Sequence, residues 1–163
     1  MTQLPKSMPA DGMSAYAYFL TVERPSIDDL TGMMFLEASG EALYEGLAGA
    51  AGPQEAKDIL LKNGREERAH AHRLRRVLRR LTGKPVEVPS PDENPYHNAL
   101  GFDSLTREVL DGLIGAEFDG DRLYNVWADS LDDPEAAKLL RLNGREERRH
   151  GLRLRKVMDI LGA

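Results

Sequence analysis

The chain has no cysteine in its 163 residues. Disulfides, CxxC zinc sites, iron–sulfur clusters and a rubredoxin-type iron site are therefore excluded. No 18-residue apolar run occurs, so a membrane span is not expected. The first residues lack a basic stretch followed by an apolar run, and the expected location is cytoplasmic. A net charge of −5 argues against bulk nucleic-acid binding, though it leaves room for a local basic patch. No stretch alternates with a period of two over a useful length, so no sheet is expected. What is present is an ordinary globular composition, 41% hydrophobic and 30% charged, in a length that suits one domain with a real core.

Four long segments carry helical periodicity. The first starts at Ser26, a capping residue followed by Asp28 and Asp29, which favour the positive end of a helix. It runs to the break at Ala51-Gly52-Pro53. The second runs from Pro53 to Thr82-Gly83, the third from just after Asp103-Ser104, and the fourth from Asp133-Pro134 to Gly162. Each is about 40 Å long at 1.5 Å per residue. Residues 84–102, "KPVEVPSPDENPYHNALGF", hold four prolines and no periodicity, and read as a crossover. Extended, they could span about 60 Å, enough to make the second and third helices parallel. The expected fold is all-α: a four-helix bundle of two antiparallel hairpins joined by a long crossover. Residues 1–25 form an N-terminal extension that wraps the bundle surface, with "SAYAYFL" as its anchor.

The two hairpins, 26–83 and 104–163, are related by an internal repeat. "NGREERAH" begins at Asn63 and "NGREERRH" at Asn143, an offset of 80 (143 − 63). At the same offset Glu37 matches Glu117, Leu43-Tyr44 matches Leu123-Tyr124, and Arg73-Leu74-Arg75 matches Arg153-Leu154-Arg155. A drifted duplication should keep its core letters and lose its surface letters. Here mostly charged letters are shared.

Glu37 lies 15 residues before Gly52 and Glu67 lies 15 after it, so both stand at one height, roughly 22 Å from the turn. Glu117 and Glu147 stand equally far on either side of Asp132. Glu67 with His70, and Glu147 with His150, are i, i+3 pairs on one helix face. Packing the hairpins together brings four carboxylates and two imidazoles into one layer. Four buried carboxylates are untenable without neutralisation, and two divalent cations supply the matching charge. Mixed carboxylate and imidazole ligands suit iron or manganese, with zinc as a further option.

One Glu from each of two helices with Glu-x-x-His from each of two others is the known layout of di-metal bundles. On "EASGEALY", "EERAH", "EFDGDRLY" and "EERRH" the chain resembles the ferritin-like superfamily over residues 26–162. That superfamily includes ferritins, bacterioferritins, rubrerythrins and diiron oxygenases. The resemblance implies two metal ions per chain, with iron expected. Glu37, Glu67, His70, Glu117, Glu147 and His150 are the implied ligands: Glu67 and Glu147 bridging, Glu37 and Glu117 terminal, and one His on each metal. It implies that Tyr44 and Tyr124 bond ligand carboxylates and tune the site or donate an electron. It also implies that Glu66 and Glu146 accept from the metal-bound His of the opposite helix; a salt bridge to Arg65 or Arg145 is the alternative. The methionine that holds haem in bacterioferritins is replaced by Arg68, so no haem is expected. Rubrerythrins carry an extra carboxylate where Gly120 stands, so Glu41 and Asp121, one position later, have an open role.

Gly40, Gly64, Gly120 and Gly144 flank the ligands and read either as close helix packing or as room for a small oxidant. "HRLRRVLRR" (72–80) is a solvated face suited to a helix C-terminus, or a site for an anionic substrate. Trp127, Met33 and Met34 read as core. The expected function is a diiron oxidoreductase of rubrerythrin or ferritin type, reacting with O2 or H2O2 and taking electrons from an unnamed donor. The alternatives are an oxygenase acting on an organic substrate, and iron storage or metal binding without turnover. The sequence shows no fifth helix after the fourth segment, and a homodimer is expected over a cage.

Overall fold

The computed structural model describes residues 3–97 and 102–163. Residues 1, 2 and 98–101, parts of the N-terminal extension and of the crossover, lie outside the described residues. Among those described the protein is all-helical, with no strand. Its elements are α1 (Gly12–Phe19), α2 (Ile27–Ala50), α3 (Gln54–Thr82), α4 (Arg107–Ser130) and α5 (Pro134–Leu161). A single 3-10 turn at Pro91–Glu93 interrupts the crossover.

Local chemistry sets the boundaries. Ser26 and Asp29 form a reciprocal capping box at the start of α2, with Ser26 Oγ accepting from Asp29 N at 3.1 Å and Asp29 Oδ2 accepting from Ser26 N at 2.7 Å. Asp133 Oδ1 accepts from the amides of Glu135 and Ala136 at 3.0 and 2.9 Å, ahead of Pro134 in the first turn of α5. Gly83 and Gly162 end α3 and α5 in the left-handed region, both at φ 65°, which a side chain would strain. α4 begins at Arg107, capped by Thr106, a little later than Asp103-Ser104 suggests.

α2 packs on α3, α4 on α5, and α3 on α5, so the four long helices form a bundle. Two apolar clusters fill it. One joins Leu30 and Met34 of α2, Leu74 and Leu78 of α3, Trp127 of α4 and Leu140 of α5. The other joins Leu47, Leu60, Leu110 and Leu154. The first therefore takes the start of α2, the end of α3, the end of α4 and the start of α5, and the second takes the opposite ends. α3 and α4 run parallel, α2 opposes α4, and the crossover connects opposite ends of the bundle. Between the clusters lies the layer holding every fully buried histidine.

The N-terminal extension departs from a surface wrapping. Residues 12–19 are helical, capped by Asp11, and Ala15 and Phe19 are fully buried. Phe19 meets Trp127 edge-on at 5.8 Å between ring centroids. The extension contributes to the core because Gly32 on α2 leaves the space that Met8 and the tip of Phe19 occupy.

Candidate metal centre

The layer between the two apolar clusters contains the six residues picked out by spacing. Each hairpin delivers its Glu from one helix and its Glu-x-x-His from the other, and all six are buried. Their ligand atoms fall into two overlapping groups, Glu37, Glu67, His70 and Glu147, and Glu67, Glu117, Glu147 and His150, each within 4.8 Å of one another. Glu67 and Glu147 belong to both groups.

His70 Nδ1 lies 3.3 Å from Glu37 Oε2, 3.5 Å from Glu67 Oε2 and 3.0 Å from Glu147 Oε1. His150 Nδ1 lies 2.9 Å from Glu67 Oε1, 3.4 Å from Glu117 Oε2 and 3.6 Å from Glu147 Oε2. The two imidazoles stack at 5.3 Å. His150 Nδ1 is buried without a hydrogen-bond partner although three carboxylates surround it. A buried donor or acceptor left so is costly, and a cation among those oxygens would satisfy it.

The other ring nitrogens face carboxylates on the opposite hairpin. His70 Nε2 is 3.1 Å from Glu146 Oε2, and His150 Nε2 is 3.0 Å from Glu66 Oε2. A carboxylate only accepts, so each Nε2 carries a proton, and each Nδ1 is turned to the carboxylates of the centre. Burial would raise the carboxyl of Glu66, but the hydrogen bonds from His150 and Arg153 hold it down to about 2. For Glu146 burial is likewise overcome, by His70 and Arg73, to about 2. Arg65 and Arg145 are not the partners; Arg153 and Arg73 are, each with Nη1 at 2.7 Å.

The carboxylates of Glu37 and Glu117 are each held across the bundle. Tyr124 of α4 donates to Glu37 Oε1 on α2, and Tyr44 of α2 donates to Glu117 Oε1 on α4. Burial and then the adjacent carboxylate push both phenols well above their ordinary pKa, so they remain donors. Asn63 Nδ2 donates to the Tyr44 hydroxyl at 3.2 Å, while its Oδ1 accepts from Arg153 Nη1 at 3.0 Å. The polar groups of this half form a hydrogen-bonded chain, Glu117, Tyr44, Asn63, Arg153, Glu66 and His150, whose Nδ1 comes within 3.4 Å of Glu117 Oε2. In the other half Asn143 Oδ1 accepts from Arg73 Nη1 at 3.0 Å and its Nδ2 donates to the His70 carbonyl at 3.4 Å.

Electrostatics in the metal-free chain fit the same reading. Burial and the charge of Glu67 push Glu37 up to about 7. Glu147 is driven well up by burial and by the charges of Glu67 and Glu37, while Glu67, despite its burial, is held ionised by the imidazoles of His150 and His70. Both histidines are raised well above their ordinary range: burial opposes this, and the carboxylates, chiefly Glu147 for His70 and Glu67 for His150, override it. Protons thus neutralise a carboxylate excess that two divalent cations would balance. The donor set, two imidazole nitrogens and four carboxylates without sulfur, fits two such ions.

The glycines pack the helices closely and leave no room for a ligand of their own. A Cβ on Gly40 would sit 2.8 Å from Glu67 Cγ, and one on Gly64 would sit 3.0 Å from Tyr44 Cβ. Glu41 faces Arg68 at 3.8 Å and Asp121 faces Arg148 at 3.7 Å, both outside the two ligand groups. The basic run 72–80 divides: Arg75 and Arg80 pair with Glu87 and Asp133 at the surface, whereas Arg73 turns inward to Glu146. Trp127 is fully buried and donates through Nε1 to the Val22 carbonyl at 2.8 Å. Met33 and Met34 are in the core. The residues that spacing arguments miss are Asn63, Asn143, Arg73 and Arg153. Their signal is repetition at offset 80, which marks them as shared without naming a role.

Among the described residues no helix is long and apolar enough to cross a membrane. In comparisons with known proteins, the chain matches no family model, no curated protein and no solved structure.

Proposed function

We propose that this protein is a di-metal carboxylate oxidoreductase of rubrerythrin or ferritin-like type, carrying two iron ions and reacting with dioxygen or hydrogen peroxide. The observation that carries this reading is the pair of overlapping ligand groups that share Glu67 and Glu147. Glu67 and Glu147 would bridge the ions, Glu37 and Glu117 would each complete one side, and His70 and His150 would each hold one ion through Nδ1. Bound there, the ions supply two-electron exchange with a small oxidant.

The chain's own residues prepare this site. Glu66 and Glu146 fix each imidazole in the tautomer that leaves Nδ1 free. Tyr44 and Tyr124 occupy one oxygen of each terminal carboxylate, so that the other, Oε2, faces the imidazole. Asn63 and Arg153 lock the tyrosine and the outer glutamate of their half together. The two stacked apolar clusters on either side exclude water and strengthen every charge interaction in the layer.

Metal analysis of protein from iron-supplemented cells tests the reading, with two metals per chain expected and fewer than about one overturning it. Stopped-flow mixing of the reduced protein with O2 and with H2O2 then tests the chemistry. Absorbance changes with neither oxidant would overturn the oxidoreductase assignment while leaving metal binding standing.

A further inference from the structure

The centre is closed unevenly. Both histidines and both asparagines, Asn63 and Asn143, have 0% exposure; among the carboxylates Glu67 and Glu147 of α3 and α5 keep 7% and 5%, and Glu37 and Glu117 of α2 and α4 keep 7% and 9%. What solvent contact remains therefore runs through the carboxylates. α2 and α4, which carry the terminal carboxylates, have no interface comparable to that of α3 with α5. Across the wider seam between α2 and α4 lies α1. Gly12 sits against Leu36, the residue before Glu37, and Tyr16 donates its hydroxyl to the Ala116 carbonyl at 3.1 Å, the residue before Glu117. One turn of α1 thus bridges the positions next to the two terminal ligands. The Tyr16 ring is partly buried, and after burial the charges of Asp119, Glu117 and Glu147 raise its phenol pKa.

The strap is fastened at both ends. Phe19 is wedged between Gly32 of α2 and Trp127 of α4, and Tyr18 donates to Asp29 in the α2 cap at 2.9 Å. From the crossover, Tyr96 donates to the Pro9 carbonyl at 2.8 Å and Asn94 donates to the Phe35 carbonyl at 2.8 Å. Among the described residues the repeat supplies no second strap, so α1 breaks the twofold likeness of the halves on this face.

We propose that Tyr16 controls access to the centre: its ring, pinned to the Ala116 carbonyl, closes the α2–α4 opening and sets how fast ions and small solutes reach the carboxylates. This inference rests on the di-metal reading above. A gate changes entry and exit together and leaves equilibrium affinity alone; a residue that merely supports the ligands changes affinity.

The test uses cobalt(II) alone as the probe, with the full chain as wild type, Tyr16→Ala, Tyr16→Leu and Tyr16→Phe. Uptake by metal-free protein is followed through the visible cobalt bands, and release is followed on adding EDTA. Removing the ring in Tyr16→Ala, or in Tyr16→Leu should the alanine variant not fold, is expected to speed uptake and release together by about tenfold. Two cobalt ions per chain and the wild-type affinity should be retained. Tyr16→Phe keeps the ring and loses the pin, and should stay within about threefold of wild type. Wild-type rates in the ring-less variants overturn the gate, as does faster release with unchanged uptake. A wild-type chain that takes up no cobalt overturns the di-metal reading and the gate with it, so the two failures are told apart.

Discussion

The hydroxyl of Tyr124, on α4, donates a hydrogen bond to Oε1 of Glu37, on α2. The bond crosses between the two hairpins, so the Glu37 carboxylate of one half is oriented by the other half. Tyr44 and Glu117 make the reciprocal bond. Orientation of a ligand by an outer partner is worth about 10- to 100-fold in metal affinity. Tyr124→Phe should therefore weaken one of the two sites by about tenfold and leave the other near wild type, and Tyr44→Phe should weaken the other. Competition against a chromophoric chelator resolves the two sites; equal affinities in both variants and wild type would remove the role assigned to the tyrosines.

Glu146 holds His70 in its tautomer and is itself held by Arg73. Glu146→Gln keeps a polar group of the same size but loses the charge that makes it a committed acceptor. Metal affinity should fall by about tenfold, and Arg73, left without its ionic partner, should cost about 1–3 kcal/mol of stability. Denaturant unfolding and metal titration of the same variant separate the two effects. A variant as stable and as tight as wild type would show that Glu146 is a passive neighbour.

Gly40 and Gly49 lie on the same helix and predict opposite outcomes. A Cβ at Gly40 would meet Glu67 Cγ and Cβ at 2.8 and 2.9 Å, forcing the Glu67 side chain to move, whereas a Cβ at Gly49 meets nothing within 4 Å. Gly40→Ala should lower metal content, and Gly49→Ala should gain up to about 1 kcal/mol from helix propensity. The repeat adds a graded control. At Gly120 the nearest atom, Glu147 Cγ, is 3.3 Å away, so Gly120→Ala should be the milder lesion of the pair. Metal content per chain and the thermal midpoint measure all three.

How much of this was legible beforehand follows from what spacing encodes. Heights along a helix depend only on residue count, so Glu37, Glu67, Glu117 and Glu147 could be placed in one layer from their distances to two turns. The i, i+3 pairing of Glu67 with His70 is equally local. The parts that stayed hidden depend on which element packs where. Residues 12–19 are too short to show convincing periodicity, and their helix rests on the gap beside Gly32 that Phe19 enters. Arg73 sits in a run of basic residues and turns inward because Glu146 and Asn143, 70 or more positions away, face it. The pair Asn63-Gly64 was repeated yet unexplained. Asn63 joins Tyr44 to Arg153, and Gly64 lets α3 approach Tyr44 and the Glu41 backbone, both across the hairpin.

Metal ions bound at this centre would compete with protons, and the two forms should respond to pH in opposite ways. In the metal-free chain Glu37 is raised to about 7 from 4.5, and His70 and His150 are raised well above 6.5. For all three the folded state binds protons more tightly than the unfolded chain. Their contribution is thus fully present at the acidic end of this range and is lost as pH rises, Glu37 between about 4.5 and 7 and the histidines above 6.5. Glu66 and Glu146, lowered to about 2, act with the opposite sign but only below about 4.5. Between pH 5 and 8 the metal-free protein should therefore lose stability as pH rises. Metal binding requires the same groups to be deprotonated, so affinity should rise over that range. At a free metal concentration 100 times Kd, each site adds about 2.7 kcal/mol to the folded state. Thermal midpoints measured with EDTA and with cobalt(II) across pH 5–8 should diverge steadily, close together at pH 5 and far apart at pH 8. Curves that run parallel would mean that the buried carboxylates and imidazoles are not where the metal competes.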